Sequence, residues 1–267
     1  MSYETVRFEE VEAAVGLVTL NRPHRLNAMN LTMVDDLHRL LGLLEGEEDI
    51  RVLIITGEGR GFCAGADLKE AAQRWTGTQR ERSAANHLVY VQRRYSSLIP
   101  RMRAIPQPII AAVNGPAAGA GMCVALASDV IIAAPEALFI ASFINIGLSG
   151  GELGTSYFLP RLVGATRAAE ILMTGRSVSG EEAERIGLAV RCVPREKLLE
   201  SALETARAML GKSRLGLRFT KEALEMSRHA PSVEAAIEME DRNQSILIMT
   251  REFLDSLESF QRRKEEV

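Results

Sequence analysis

Two short loops rich in glycine and alanine each follow an apolar, β-branched run, and together they could hold a single carbonyl oxygen. The first run, residues 51–56, leads through Gly57 into Phe62, Cys63, Ala64, Gly65, Ala66 and Asp67. The second, residues 109–113, leads into Asn114, Gly115, Pro116 and the small residues 117–121. Such residues let the backbone approach a ligand closely, so each loop can aim an amide N–H at a bound oxygen. Two converging N–H donors form an oxyanion hole, which stabilises a carbonyl as it gains negative charge. One loop of this kind alone reads as a packed turn. Two of them favour the chemistry.

The elements that must position these loops follow from hydrophobic periodicity. Residues 15–20 and 51–56 read as strands, and between them Met33, Leu37, Leu40, Leu41 and Leu44 mark an amphipathic helix. A helical stretch over 73–103 is expected to stop before Pro106 and Pro108. A small-residue helix is expected over 119–127. Ser179-Gly180-Glu181-Glu182 reads as a capping box, with Gly187 ending the short helix it starts. Strands alternating with helices place the chain in the α/β class.

After Pro194 glycine-rich loops give way to helix formers, which divides the chain into a core, 1–195, and a helical region, 196–267. Leu198, Ala202, Leu203, Ala206, Met209 and Leu210 share one helical face. Ser232 caps a further helix. Thr250 starts the last one, which carries Phe253, Leu257 and Phe260 on one side.

Composition narrows the function classes. A net charge of −3 argues against a general nucleic-acid or membrane-surface binder, so neither partner is expected. Cys63, Cys123 and Cys192 are odd in number and widely spaced, as reduced thiols of a cytoplasmic protein would be. His24, His38 and His229 have no carboxylate or cysteine at ligand spacing, so no metal is expected. With acids near the start no export signal is expected, and Asp129 and Glu136 interrupt the most apolar stretch, 116–141, too early for a membrane span.

Other motifs fall short. Gly57-Glu58-Gly59-Arg60-Gly61 lacks the third glycine of a dinucleotide loop opening a helix. Gly211-Lys212-Ser213 lacks the earlier glycine of a phosphate loop, because Ala206 stands there. Arg74, Arg80, Arg82, Arg93, Arg94, Arg101 and Arg103 stand against a single acid, Glu81, on the 73–103 stretch. They read as a solvated face whose stems cover apolar surface, or as a strip for RNA or another polyanion.

The two loops also carry a likeness. Residues 62–68 (FCAGADL) and 112–121 (AVNGPAAGAG) resemble the two fingerprints of the enoyl-CoA hydratase/isomerase, or crotonase, family. Leu20-Asn21-Arg22-Pro23, Leu26-Asn27-Ala28, Gly147-Leu148, Gly154 and residues 159–164 are similar as well. The resemblance implies a crotonase-like spiral of ββα units with a C-terminal helical trimerisation region, assembling as trimers or hexamers. It implies an acyl-CoA or enoyl-CoA substrate, with coenzyme A part of the substrate and no separate cofactor.

By position in the fingerprints, the resemblance makes the backbone N–H groups of Ala66 and Ala120 the oxyanion donors. It places Arg25, Leu26, Ala28, Ala64, Asp67 and Leu68 along CoA, with Arg22 and Lys69 as further cations beside it. Phe260 and Arg263 match an aromatic and a basic position that relatives contribute across a subunit boundary. Hydratases of the family use two glutamates, and here those positions hold Cys123 and Phe143. A thiol titrating near pH 8.5 and a phenyl ring do not replace two carboxylates, so standard hydration is not expected.

One acid remains, Glu152, expected in the first turn of a helix running to about Leu159. Relatives with isomerase or dehalogenase activity put a carboxylate at or next to this point. An enoyl-CoA isomerase, an acyl-CoA hydrolase or dehalogenase-like enzyme, and a non-catalytic acyl-CoA-binding or RNA-binding protein all stay open. His87 and Cys123 are the next candidates for proton transfer.

Overall fold

The computed structural model of the protein describes residues 3–75 and 87–265. The chain opens with β1 (Val6–Glu12), β2 (Val15–Leu20), α1 (Leu31–Leu44) and β3 (Val52–Gly57). Then come α2 (Leu68–Trp75), a π-helical turn (Leu88–Gln92), α3 (Arg93–Ser96) and α4 (Leu98–Ala104). Next are β4 (Ile109–Val113), β5 (Pro116–Ala118), α5 (Ala120–Ala127), β6 (Val130–Ala133) and β7 (Leu138–Ile140). They are followed by α6 (Thr155–Val163), α7 (Ala165–Thr174), β8 (Ser177–Ser179), α8 (Gly180–Arg185) and β9 (Arg191–Cys192). Four helices close the chain: α9 (Leu198–Leu210), α10 (Arg214–Ser227), α11 (Val233–Leu247) and α12 (Arg251–Glu265). None of the described helices is long and apolar enough to cross a membrane.

The main sheet has the order β1-β2-β3-β4-β6-β9, and β5, β7 and β8 form a smaller one. From β2 onward the main sheet is parallel, while β1 lies antiparallel on its edge. Strands covered on both faces need apolar side chains in both directions, and every residue of β2 and β4 is buried. Leu53, Ile55, Ala111 and Val113 join the core under α1, α4 and α5. Their neighbours Val52, Ile54, Ile110 and Ala112 face Leu198, Ala202, Leu203 and Ala206 of α9. Helix α9, beyond residue 195, therefore covers the second face of the sheet.

The helix expected over 73–103 is not continuous. Residues 76–86, with Arg80, Glu81 and Arg82, lie outside those described, as do the side chains of Arg74 and Trp75. Three of the later arginines of this stretch are paired with carboxylates, with Arg94 on Asp35 and Arg101 3.9 Å from Glu45. Arg103 is buried between Asp129 at 2.7 Å and Glu225 at 2.9 Å. Lys221 completes that cluster, 3.0 Å from Asp129 and donating to the Gln107 carbonyl at 2.8 Å. A four-charge knot with both cations buried thus ties α10 to α4 and the start of β6.

Candidate active site

The loops after β3 and β4 are stitched together by backbone hydrogen bonds. The N–H groups of Phe62 and Cys63 donate to the Pro116 carbonyl at 3.1 and 3.0 Å, and Ala118 donates back to Cys63 at 2.9 Å. Glycine is required where they touch. A Cβ on Gly121 would collide with the carbonyl of Cys63, and one on Gly65, at φ +96°, would stand 2.9 Å from the Ala118 oxygen and 3.6 Å from the Ala120 nitrogen.

This closeness brings the two expected donors together. Met29 donates to Gly65 at 2.7 Å and accepts from Asp67 at 2.8 Å, so the alternation of an extended segment turns the intervening Ala66 N–H away from Met29. Ala120 is the first residue of α5, where an N–H has no intrahelical acceptor. Among the described residues neither amide has a hydrogen-bond partner. Both alanines keep negative φ, the condition for alanine to serve in place of glycine at 120. The N-terminus of α5 adds its partial positive charge at the same place.

Ala66 and Ala120 line a cavity of about 440 Å³, together with Ala64, Asp67, Leu68, Phe143 and Glu152. Its wall is mostly apolar and aromatic, with Tyr90, Tyr95, Ile146 and Leu148 contributing. His87 lines it too.

Glu152 differs from expectation in its setting. Helix α6 starts at Thr155, and the helix is entered through Leu153 at φ +46° and Gly154 at φ +86°. The acid therefore precedes the first turn, and its backbone is pinned by Thr155. The Thr155 Oγ1 accepts the Glu152 N–H at 2.9 Å and lies 2.8 Å from the Gly150 carbonyl. The carboxylate itself accepts a hydrogen bond from the Gln92 side-chain amide. Sequence reasoning missed Gln92. No periodic signal marks it, because a π turn shifts which residues share a helical face.

Cys123 is fully buried and stays out of the cavity wall. Its thiol lies 3.2 Å from the Gly119 carbonyl, and burial first, then the Glu152 carboxylate, push it well above the ordinary thiol range. Burial likewise pushes Cys63 up to about 12. Neither sulfur is a base at neutral pH.

The cations of the opening segment divide. Arg22, expected beside CoA, is instead paired with Asp67 at 3.0 Å and also donates to the Ala28 carbonyl. Burial would raise the Asp67 carboxyl, yet the Arg22 guanidinium holds it below its usual range. Arg25 remains exposed at the surface. Leu26 and Ala28 stand outside the cavity wall, and the Leu26 carbonyl accepts the Ala64 N–H at 2.9 Å. Asn27, fully buried, links this segment to the first loop by donating to Glu58 at 2.9 Å and Gly61 at 2.8 Å. Phe260 and Arg263 fall on α12, and their side chains lie outside the described residues.

Known proteins share both the sequence pattern and this architecture. The family model for enoyl-CoA hydratase/isomerase matches residues 10–266. The probable enoyl-CoA hydratase EchA12 of Mycobacterium tuberculosis is 41% identical over 94% of this chain and 88% of its own length. The 1,2-epoxyphenylacetyl-CoA isomerase of Escherichia coli is 35% identical over 94% of this chain and 93% of its own. The crystal structure of a monofunctional enoyl-CoA isomerase from Mycobacterium smegmatis is 42% identical, with a TM-score of 0.73, covering 87% of this chain and 98% of that one. The chain belongs to the enoyl-CoA hydratase/isomerase family, enzymes that act on CoA thioesters as lyases or isomerases.

Proposed function

We propose that this enzyme moves a carbon–carbon double bond along the acyl chain of an enoyl-CoA thioester, with Glu152 carrying the proton. The observation behind this reading is the Glu152 carboxylate in the wall of the cavity lined by Ala66 and Ala120, hydrogen-bonded there to a neutral amide. Asp67, in the same wall, is neutralised by Arg22. Cys123 and Phe143, at the positions where family hydratases carry glutamates, offer no carboxylate pair to hold a water.

In a β,γ-enoyl thioester the C2–H bond breaks toward Glu152, and its electrons pass into the thioester as a dienolate. The enolate oxygen takes the N–H groups of Ala66 and Ala120, which are fixed before the charge develops. The protonated Glu152 then delivers its proton to C4, giving the α,β-unsaturated thioester and restoring the carboxylate. No second acid is needed.

Coenzyme A enters as part of the substrate. Its pantetheine arm passes Ala64, Asp67 and Leu68, and its phosphates lie toward Arg25 beside Leu26 and Ala28. Phe260 and Arg263 are assigned to CoA by sequence likeness, from a neighbouring copy in a trimer or hexamer. Reduced thiols and an acyl-CoA substrate fit a cytoplasmic setting.

The test is Glu152→Gln assayed against β,γ-enoyl-CoA thioesters of several chain types. Turnover is expected to fall by roughly 10²–10⁴-fold while affinity stays within about twofold. Unchanged turnover would remove Glu152 from the chemistry. Efficient hydration of crotonyl-CoA without isomerisation would overturn the reading altogether.

A further inference from the structure

We infer that Gln92 is a positioning residue for this reaction: its side-chain amide holds one oxygen of the Glu152 carboxylate and leaves the other to face the substrate carbon. The inference rests on the isomerase reading and adds a residue to it.

Gln92 closes the π-helical turn Leu88–Gln92, in which the Arg93 N–H reaches the carbonyl of Leu88, five residues back. In a regular α-helix successive residues are about 100° apart, so residue 92 would point roughly 140° away from residue 87. The wider π turn, with more residues per revolution, narrows that offset. His87, Tyr90, Val91, Gln92 and Tyr95 all line the one cavity. Widened turns of this kind are frequent at functional sites, and here the widening delivers an amide to the acid.

The acid is thereby held at both ends. Thr155 fixes its backbone, and the Gln92 Nε2 donates to its Oε1. A carboxylate so bound has one oxygen committed to a neutral donor and a second left for proton transfer. A lysine or arginine in that place would hold the carboxylate charged more firmly and weaken it as a base. Among the described residues no lysine or arginine lines the cavity. The titratable groups around Glu152 are Cys123 from α5, His87, Tyr90 and Tyr95 from the helical stretch, and Asp67 and Glu70 from the first loop and α2.

The consequence is a role in rate and in pH dependence, with little role in affinity. Gln92→Leu removes the donor to the ionised acid and leaves the cavity apolar there. kcat is expected to fall about tenfold or more with KM within twofold, and the acid limb of kcat against pH should move up by about one unit. Gln92→Glu puts a second carboxylate against the first. The two groups share a proton, and the protonated one takes over as donor to the ionised one, so the limb should stay below that of Gln92→Leu.

Both variants and Glu152→Gln would be assayed on the same β,γ-enoyl-CoA, with thermal melting to check that each folds. An acid limb that stays in place in Gln92→Leu, with Glu152→Gln inactive, overturns the role of Gln92 alone. Turnover retained in Glu152→Gln overturns the isomerase reading, and the role of Gln92 falls with it. A limb that moves up in Gln92→Leu and stays lower in Gln92→Glu supports the assignment, since loss of a merely structural contact would lower kcat without shifting it.

Discussion

The sulfur of Cys123 lies 3.6 Å from the carbonyl oxygen of Glu152, so the helix behind the second loop touches the backbone of the loop that carries the acid. Replacing Cys123 with glutamate, as a hydratase would require, forces a charge into a fully buried position. Cys123→Glu is expected to lower unfolding stability by about 3 kcal/mol or more in urea titrations. Phe143→Glu faces the cavity and should cost less. Equal stabilities for the two variants would contradict this placement.

Ala120→Pro tests Ala120 as the proposed oxyanion donor. Ala120 is the first residue of α5, a position that tolerates proline because its N–H bonds nothing within the helix. The substitution deletes the donor and keeps the helix. Turnover should drop by roughly 10²–10³-fold, with the melting temperature nearly unchanged. A variant of full activity would show that the Ala120 amide does not hold the thioester oxygen.

Burial of Cys63 makes stability fall in alkali. Its folded-state value, about 12, exceeds that of an exposed thiol, about 8.5. Between these values the unfolded chain gives up the proton and the folded protein keeps it, so stability declines as pH rises through this window. The slope contributed should approach about 1.4 kcal/mol per pH unit above pH 9. Urea midpoints measured from pH 8 to 10.5 would show it, and Cys63→Ala should flatten the decline. A wild-type curve that matches the variant would refute the assignment to Cys63.

Lys221→Met tests the knot of charges around Asp129. The substitution leaves the carbonyls of Gln107 and Met102 without their donor and removes one of the two cations on Asp129. Arg103 still neutralises that acid, so the loss should be about 2–4 kcal/mol, with no total failure to fold. Hydrogen exchange should show α10 opening more often than α1. Protection of α10 equal to that of wild type would show that other contacts hold the helix.

The sheet was legible where burial on both faces writes itself into composition. The run of residues 109–113 coincides with β4, and Met33, Leu37, Leu40, Leu41 and Leu44 are buried on α1 as their spacing requires. The edge strand β1 was not: its Glu9, Glu10 and Glu12 break the apolar pattern because one side of an edge strand meets water. The three-residue strands β5, β7 and β8 were too short to carry a local signal. Ser179 caps α8 as the motif predicts, accepting the Glu182 N–H at 3.2 Å. The Glu182 side chain, however, turns to Arg176, a charged partner stronger than a backbone amide.

At the site, the small residues at the two loops pointed to the paired amides. The setting of Glu152 was less visible, because Leu153 adopts a left-handed conformation that its residue type does not announce. Arg22 looked like a phosphate ligand for a similar reason. Its partner Asp67 is 45 residues away in sequence, and only the fold brings the two together.

The loops that carry Ala66 and Ala120 hold one another through main-chain atoms, whereas Glu152 arrives on a separate segment anchored by Thr155. In the proposed reaction, enolate stabilisation and proton transfer therefore rest on separate segments that meet where Cys123 touches the Glu152 carbonyl. An exchange of side chains on the acid-bearing segment can redirect the reaction without re-engineering the electrophile's cradle. One scaffold can thus diverge among thioester chemistries by substitutions outside that cradle, and directed evolution of new thioester reactions is best aimed at the acid-bearing segment.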